Sequence, residues 1–197
     1  MKNFLIALIT FVPAYSCAGI SANVTVTTDY IWRGMTQSDG PALQGGFDYS
    51  HDSGLYAGIW GSNVNFNNGN GQELDYLAGY KFKLSNVNAD LGYIKYNYPG
   101  SNPNQNFEEI MLGLSLGDFG LNFAAGLDKS PNYIEASYKI GDVSLSFGDY
   151  KDNGTNAKIS YNFTCLTLDC GVTAYNFNNS GSGADQDGVF FSVGKSM

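Results

Sequence analysis

Residues 28–66, TDYIWRGMTQSDGPALQGGFDYSHDSGLYAGIWGSNVNF, set the pattern that the rest of the chain repeats. Alternating segments are joined first by a polar loop holding Gly and Asp, then by the tight turn His51-Asp52-Ser53-Gly54. The stretch therefore reads as three strands with one long and one short connection. Across residues 43–50, Leu43, Gly45, Phe47 and Tyr49 alternate with Gln44, Gly46, Asp48 and Ser50. That is the period of a strand with one apolar and one wet face, whereas a helix would scatter both sets around its circumference. The next strand, residues 55–66, gathers Tyr56, Gly58, Trp60, Ser62, Val64 and Phe66 on one face. The spacing of its aromatics predicts that this face is the one turned to lipid.

Composition agrees with such a wall. The 197 residues include 25 Gly, 14 Tyr and 13 Phe, with 14% charged residues and a mean hydropathy of -0.18. This is unlike a soluble domain, and it is too polar for a bundle of membrane helices. No interior stretch approaches the ~20 apolar residues that a spanning helix needs. The one long apolar run is N-terminal, where Lys2 precedes residues 4–12 and small residues end in Ser16-Cys17-Ala18. It reads as a signal peptide, residues 1–18, cut after Ala18, with residues 19–197 as a single domain. Lipidation of Cys17 is disfavoured, because Ala14 stands where a lipoprotein box prefers a Leu-like residue. After export, Cys165 and Cys170 remain as an even pair in an oxidising compartment, which predicts a local disulfide. The spacing C-x4-C, with no His or further Cys at hand, is a poor zinc site.

The alternation recurs to the C-terminus. Strand one is expected over residues 22–34, with Val24, Val26, Thr28, Tyr30 and Trp32 on one face and Thr25, Thr27, Asp29, Ile31 and Arg33 on the wet one. Residues 72–83 alternate most clearly, Leu74, Tyr76, Ala78, Tyr80 and Phe82 against Glu73, Asp75, Leu77, Gly79, Lys81 and Lys83. Later strands place Glu109, Glu135, Lys139 and Lys158 on the same wet phase. About twelve strands joined by alternating short turns and long loops make an all-β, transmembrane, antiparallel up-and-down β-barrel. The long loops, among them residues 35–41, 99–106 and 178–188, are expected outside and offer contact surfaces. Both termini and the Cys165–Cys170 turn are expected on the periplasmic side. The chain ends Gly194-Lys195-Ser196-Met197 rather than on the aromatic residue that cues barrel assembly. Met197 stays in phase with Val189, Phe191 and Val193, so the expected effect is on the efficiency of insertion.

Three blocks in order, DYIWRGMTQSDGPALQGGFDYSH at residues 29–51, GLYAGIWGSNV at 54–64 and ELDYLAGYK at 73–81, are similar to a proteobacterial family of outer-membrane porins called Gcw_chp or TorF-type. The likeness is densest up to about residue 98 and continues as the strand and turn pattern. The resemblance implies an exported barrel in the outer membrane of a Gram-negative bacterium, with no catalytic residues to carry over.

Candidate chemistry is sparse. The only His, His51, lies among Ser50, Asp52 and Ser53. A catalytic triad needs its members to converge with the His between acid and nucleophile, and neighbours on a strand or tight turn point apart. The acidic segments 149–154 and 185–188 lack the ligand ladder of a dedicated calcium loop. A net charge of -8 and a sequence pI of about 4.4 exclude nucleic acid as a partner. No enzyme activity, cofactor or metal is expected. The functional feature is the inward charge set: Asp29, Arg33, Asp48, Glu73, Asp75, Lys81, Lys83, Glu109, Glu135, Lys139 and Lys158. Inward glycines such as Gly46, Gly79 and Gly113 are expected to leave the lumen unfilled. The reading is a passive, water-filled channel for small hydrophilic solutes or ions, tilted toward cations. Its partners are outer-membrane lipids, the solutes themselves and the barrel-assembly machinery. A plugged barrel serving as a structural or surface-interaction protein is the alternative, and a lipid-modifying enzyme built on His51 is a remote one.

Overall fold

The computed structural model describes residues 19–66, 70–100, 105–128 and 130–197. The expected signal peptide and Cys17 lie outside the described residues. In chain order the elements are β1 Gly19–Thr27, the two short strands β2 Ile31–Trp32 and β3 Met35–Thr36, then β4 Ala42–Ser50, β5 Leu55–Asn65, β6 Asn70–Leu84 and β7 Val87–Tyr96. There follow β8 Phe107–Leu116, β9 Phe119–Gly126, β10 Tyr133–Ile140, β11 Val143–Tyr150, β12 Gly154–Cys165, β13 Leu168–Asn179 and β14 Gln186–Ser196.

Among the described residues twelve strands close into one antiparallel barrel, and β2 and β3 form a separate two-stranded sheet. Each wall strand pairs with its sequence neighbour along the wall, and β1 closes the ring by pairing with both β4 and β14. Closure leaves the wall without an edge, which a strand wall in lipid requires, because an unpaired peptide group in hydrocarbon costs several kcal/mol. The seam is paired to the last residue, since Met197 and Ala22 exchange backbone bonds at 2.9 and 3.0 Å.

The period of two sorts the side chains. Leu43, Phe47, Ile59, Tyr80, Leu91, Ile134, Phe147, Ile159 and Phe191 are exposed on the outer wall. Across neighbouring strands they stand side by side, as in Phe47 opposite Ile59 and Leu145 opposite Ile159. Tyr49, Tyr80, Tyr138, Tyr161 and Phe163 all lie near the strand ends that meet short turns. They form the aromatic girdle that marks a membrane interface. At that same end Cys165 and Cys170 are joined by a disulfide, with Cα atoms 5.9 Å apart.

Two expectations about the wall are overturned. Strand one leaves the wall at Thr27 instead of running on to residue 34, and residues 28–41 turn inward. On β5 the faces are reversed: Leu55 and Ile59 are exposed outside, while Ser62 and Val64 are buried inside. Tyr56 and Trp60 share the inward phase of Ser62 and Val64, and Trp60 packs on Tyr30. The physical reason is common to both corrections. The interior beside β5 is filled by protein, so aromatics face inward there to build a core.

Candidate functional site

The segment that leaves the wall folds into a hairpin within the lumen. Ile31 pairs with Thr36 and Trp32 with Met35, leaving Arg33 and Gly34 as the two turn residues. Both have positive φ, 49° and 84°, as a two-residue hairpin turn of the primed type demands. Gly adopts this freely, whereas for Arg it is costly and must be held by its contacts. The neck is tied by Asp29, whose Oδ1 accepts from Thr36 Oγ1 at 2.7 Å and Ser38 Oγ at 3.1 Å. Ser38 Oγ in turn accepts from the Tyr30 backbone N–H at 2.8 Å.

The hairpin reaches the wall on several sides. The Asn65 N–H on β5 donates to Gln37 O at 2.7 Å, and the Thr36 N–H donates to Gln186 Oε1 on β14 at 2.9 Å. At the tip, a Cβ on Gly34 would stand 2.7 Å from the Asn156 Cβ on β12 and 3.0 Å from the Phe177 Cβ on β13. Arg33 continues to β8, donating from Nη1 and Nη2 to the two oxygens of Glu109 at 2.9 and 2.7 Å. Its guanidinium carbon lies 4.2, 4.3 and 4.8 Å from the ring centroids of Trp32, Tyr133 and Tyr150. Glu109 is fully buried and also accepts from Ser130 Oγ at 2.8 Å and the Tyr96 hydroxyl at 3.3 Å. A buried ion pair is tolerated when the fork geometry is bidentate and the remaining lone pairs are met, and both conditions hold here.

Aromatic rings fill the space around this link. Trp32 meets Tyr96 and Tyr150 edge-on at 5.8 and 5.6 Å, and Tyr30 meets Trp60 at 5.4 Å. The inward glycines expected to leave space largely accommodate these and other large neighbours. Gly79 faces the Tyr56 hydroxyl, Gly148 the Tyr133 hydroxyl, and Gly46 lies against the backbone of Ile59 and Trp60. Gly113 instead lines a remaining cavity of about 110 Å³ beside the hairpin. Trp32, Arg33, Tyr56, Asp90, Glu135 and Lys158 also line it.

The expected charged residues are not equivalent. Asp29 and Arg33 sit on the hairpin segment and not on the wall. Glu135 and Lys158 form a buried pair at 3.2 Å, with the Tyr133 hydroxyl donating to Glu135 Oε2 at 2.9 Å. Glu73 and Asp75 are buried on the inner face of β6, near the long-loop end. Asp48 lies beside Gly58, and the Lys81 ammonium is 4.9 Å from the Tyr56 ring centroid. Lys83 and Lys139 are exposed near the short-turn end. Asp90 was absent from the expected set, yet it is buried and accepts from the Tyr56 hydroxyl at 2.7 Å. Its inward phase was hidden because β7 carries large apolar and aromatic residues on both faces. His51 meets Ser53 Oγ at 2.9 Å in an exposed turn, and the Ser53 backbone N–H donates to the same Nδ1 at 3.2 Å. That short-range turn bond occupies the Nδ1 position through which a triad acid would orient the ring.

The family described as "Bacterial protein of unknown function (Gcw_chp)" matches residues 13–132. No curated protein sequence matches the chain. Among solved structures, a KdgM porin aligns with TM-score 0.59 and 9% identity, covering 89% of this chain and 97% of its own. A KdgM porin in complex with disordered oligogalacturonate aligns with TM-score 0.57 and 10% identity, over 89% and 97% of the two chains. The outer-membrane phospholipase A from Escherichia coli aligns with TM-score 0.48 and 12% identity, over 89% and 93%. At these identities the likeness to the two KdgM structures establishes a shared barrel fold and nothing finer.

Proposed function

The chain belongs to the Gcw_chp family, and from its closed barrel and inward hairpin we propose a non-enzymatic outer-membrane porin that passes small hydrophilic solutes or ions through a narrow constriction. The observation that carries the proposal is the hairpin itself, which spans the lumen from β1 and β4 to Glu109 on β8 and Asn156 on β12. The long-loop end faces outside, the girdled short-turn end faces the periplasm, and the exposed apolar wall contacts outer-membrane lipids. Cation preference follows from pairing. Arg33 and Lys158 are neutralised by Glu109 and Glu135, while Glu73 and Asp75 have no ion-pair partner among the described residues. The unbalanced interior charge at the outer end is therefore acidic.

The plugged-barrel reading has a specific observation in its favour, the tight aromatic packing of Trp32 against Tyr96 and Tyr150. Single-channel current through refolded protein in a planar bilayer, under a salt gradient, separates the two. Small discrete steps with a cationic reversal potential, enlarged when residues 29–38 are replaced by a short Gly-Ser turn, support the constricted porin. A folded barrel that is silent in both forms supports a structural role.

A further inference from the structure

Tyr56 reaches inward from β5 across two glycines. A Cβ on Gly92 of β7 would stand 2.9 Å from its hydroxyl, and one on Gly79 of β6 would collide with it. This notch lets the hydroxyl donate to Asp90 Oδ1 at 2.7 Å. Asp90 lies in the short-turn half of β7, is 3% exposed and lines the cavity beside the hairpin, yet its Oδ2 has no hydrogen-bond partner. A buried carboxylate oxygen left unmet is costly, and a proton placed on it would need an acceptor in its turn. Charge around the cavity is also out of balance. Arg33 is matched by Glu109 and Lys158 by Glu135. Lys81, opposite Asp90 in register, stands within electrostatic reach of both Asp90 and Asp48. Among the described residues it makes no direct ion pair with either, and its ammonium sits instead 4.9 Å from the Tyr56 ring centroid. Two carboxylates thus share one ammonium.

From the cavity, the unmet oxygen and the missing positive charge we infer a binding site for one compact organic ammonium ion, its N–H groups donating to Asp90 Oδ2 and its carbon body lying against Trp32 and Met111. The volume of about 110 Å³ holds roughly four to five non-hydrogen atoms, scaled from a cavity of ~150 Å³ that takes benzene. Trp32 and Tyr56 both line the space, and electron-rich rings favour an organic cation over a hydrated metal ion. As a station on a solute path the site rests on the porin reading above; as a binding site it is read without any current.

The test titrates ethanolammonium calorimetrically into the full refolded barrel, beside its uncharged counterpart ethylene glycol and, separately, K⁺. The expected result is one saturable site per chain for ethanolammonium alone, with a change in Trp32 emission. Asp90→Asn should weaken binding about tenfold or more, because one partner of a desolvated charge pair is lost. Lys81→Gln removes the competing ammonium and should tighten binding, which keeps the test decisive if Asp90→Asn does not fold. Four results overturn the inference: no saturable binding to the wild type, equal binding in Asp90→Asn, unchanged or weaker binding in Lys81→Gln, or an equal response to ethylene glycol or K⁺. A barrel that conducts yet binds no ethanolammonium sinks this site and leaves the porin reading, whereas one that binds the ion and stays silent in a bilayer does the reverse.

Discussion

Glu109→Ala removes the anchor of the hairpin and leaves Arg33 inside the barrel without its counter-ion. Breaking one side of a buried ion pair costs ~3–5 kcal/mol, chiefly because the surviving charge is uncompensated. Arg33 is enclosed by the rings of Trp32, Tyr133 and Tyr150, with only 8% of its surface exposed, so solvent relieves little of that cost while the hairpin stays docked. Its contacts with Trp32, Tyr133 and Tyr150 remain, and each offsets about 0.5–2 kcal/mol. The cheaper response is for the hairpin to swing out and hydrate the guanidinium. A change of ~3–5 kcal/mol shifts the docked-to-released ratio by about two to three and a half powers of ten. In a planar bilayer, Glu109→Ala should therefore raise open probability steeply, and Trp32 emission should move to longer wavelength. The double replacement R33M/E109M supplies the control, because an apolar pair of similar volume is close to neutral or stabilising. It should return the channel to its quiet state. Equal conductance and unchanged emission in Glu109→Ala, or an R33M/E109M variant as open as Glu109→Ala, would refute the reasoning.

Two further predictions probe the tip and the wall. Gly34→Ala places a residue at φ 84° and a Cβ 2.7 Å from that of Asn156. It should cost about 1–2 kcal/mol from backbone strain alone, read as a lowered melting temperature with altered Trp32 emission. A fluorophore on Ile59→Cys should be quenched by a lipid-borne quencher, whereas one on Val64→Cys should not, because Ile59 is 44% exposed on the outer wall and Val64 is 2% exposed inside. The reverse pattern would restore the sequence expectation for β5.

The barrel was legible because its signal is repeated in every wall strand. On β6, Tyr76 and Tyr80 against Glu73 and Asp75 admit only one assignment, since a carboxylate on the lipid face is prohibitive. β5 misled because Tyr, Trp and Val suit either lipid or a packed interior, and no charge on that strand breaks the tie. The hairpin was hidden for a related reason. Residues 28–34 alternate as a wall strand does, and nothing local reveals that Arg33 has a counter-ion 76 residues away. Glu109 and Arg33 were both marked as inward charges, but their pairing is a property of barrel circumference, which periodicity along one strand does not encode. Asp90 escaped through its apolar and aromatic neighbours Leu91, Tyr93 and Ile94, which mask the phase of β7.

The hairpin lies between β1 and β4, early in the chain, yet the anchors of its tip and outgoing strand lie late. Arg33 needs Glu109, Gly34 sits against Asn156 and Phe177, and the Thr36 N–H is answered by Gln186, 150 residues on. None of these partners is in place while the first strands are being laid down. The hairpin must therefore wait, polar groups hydrated, until the seam between β1 and β14 joins, and its seating becomes a report that the ring has closed with the correct number of staves. A barrel closed one strand short or one register off would present no matching anchor, and its lumen would stay loose.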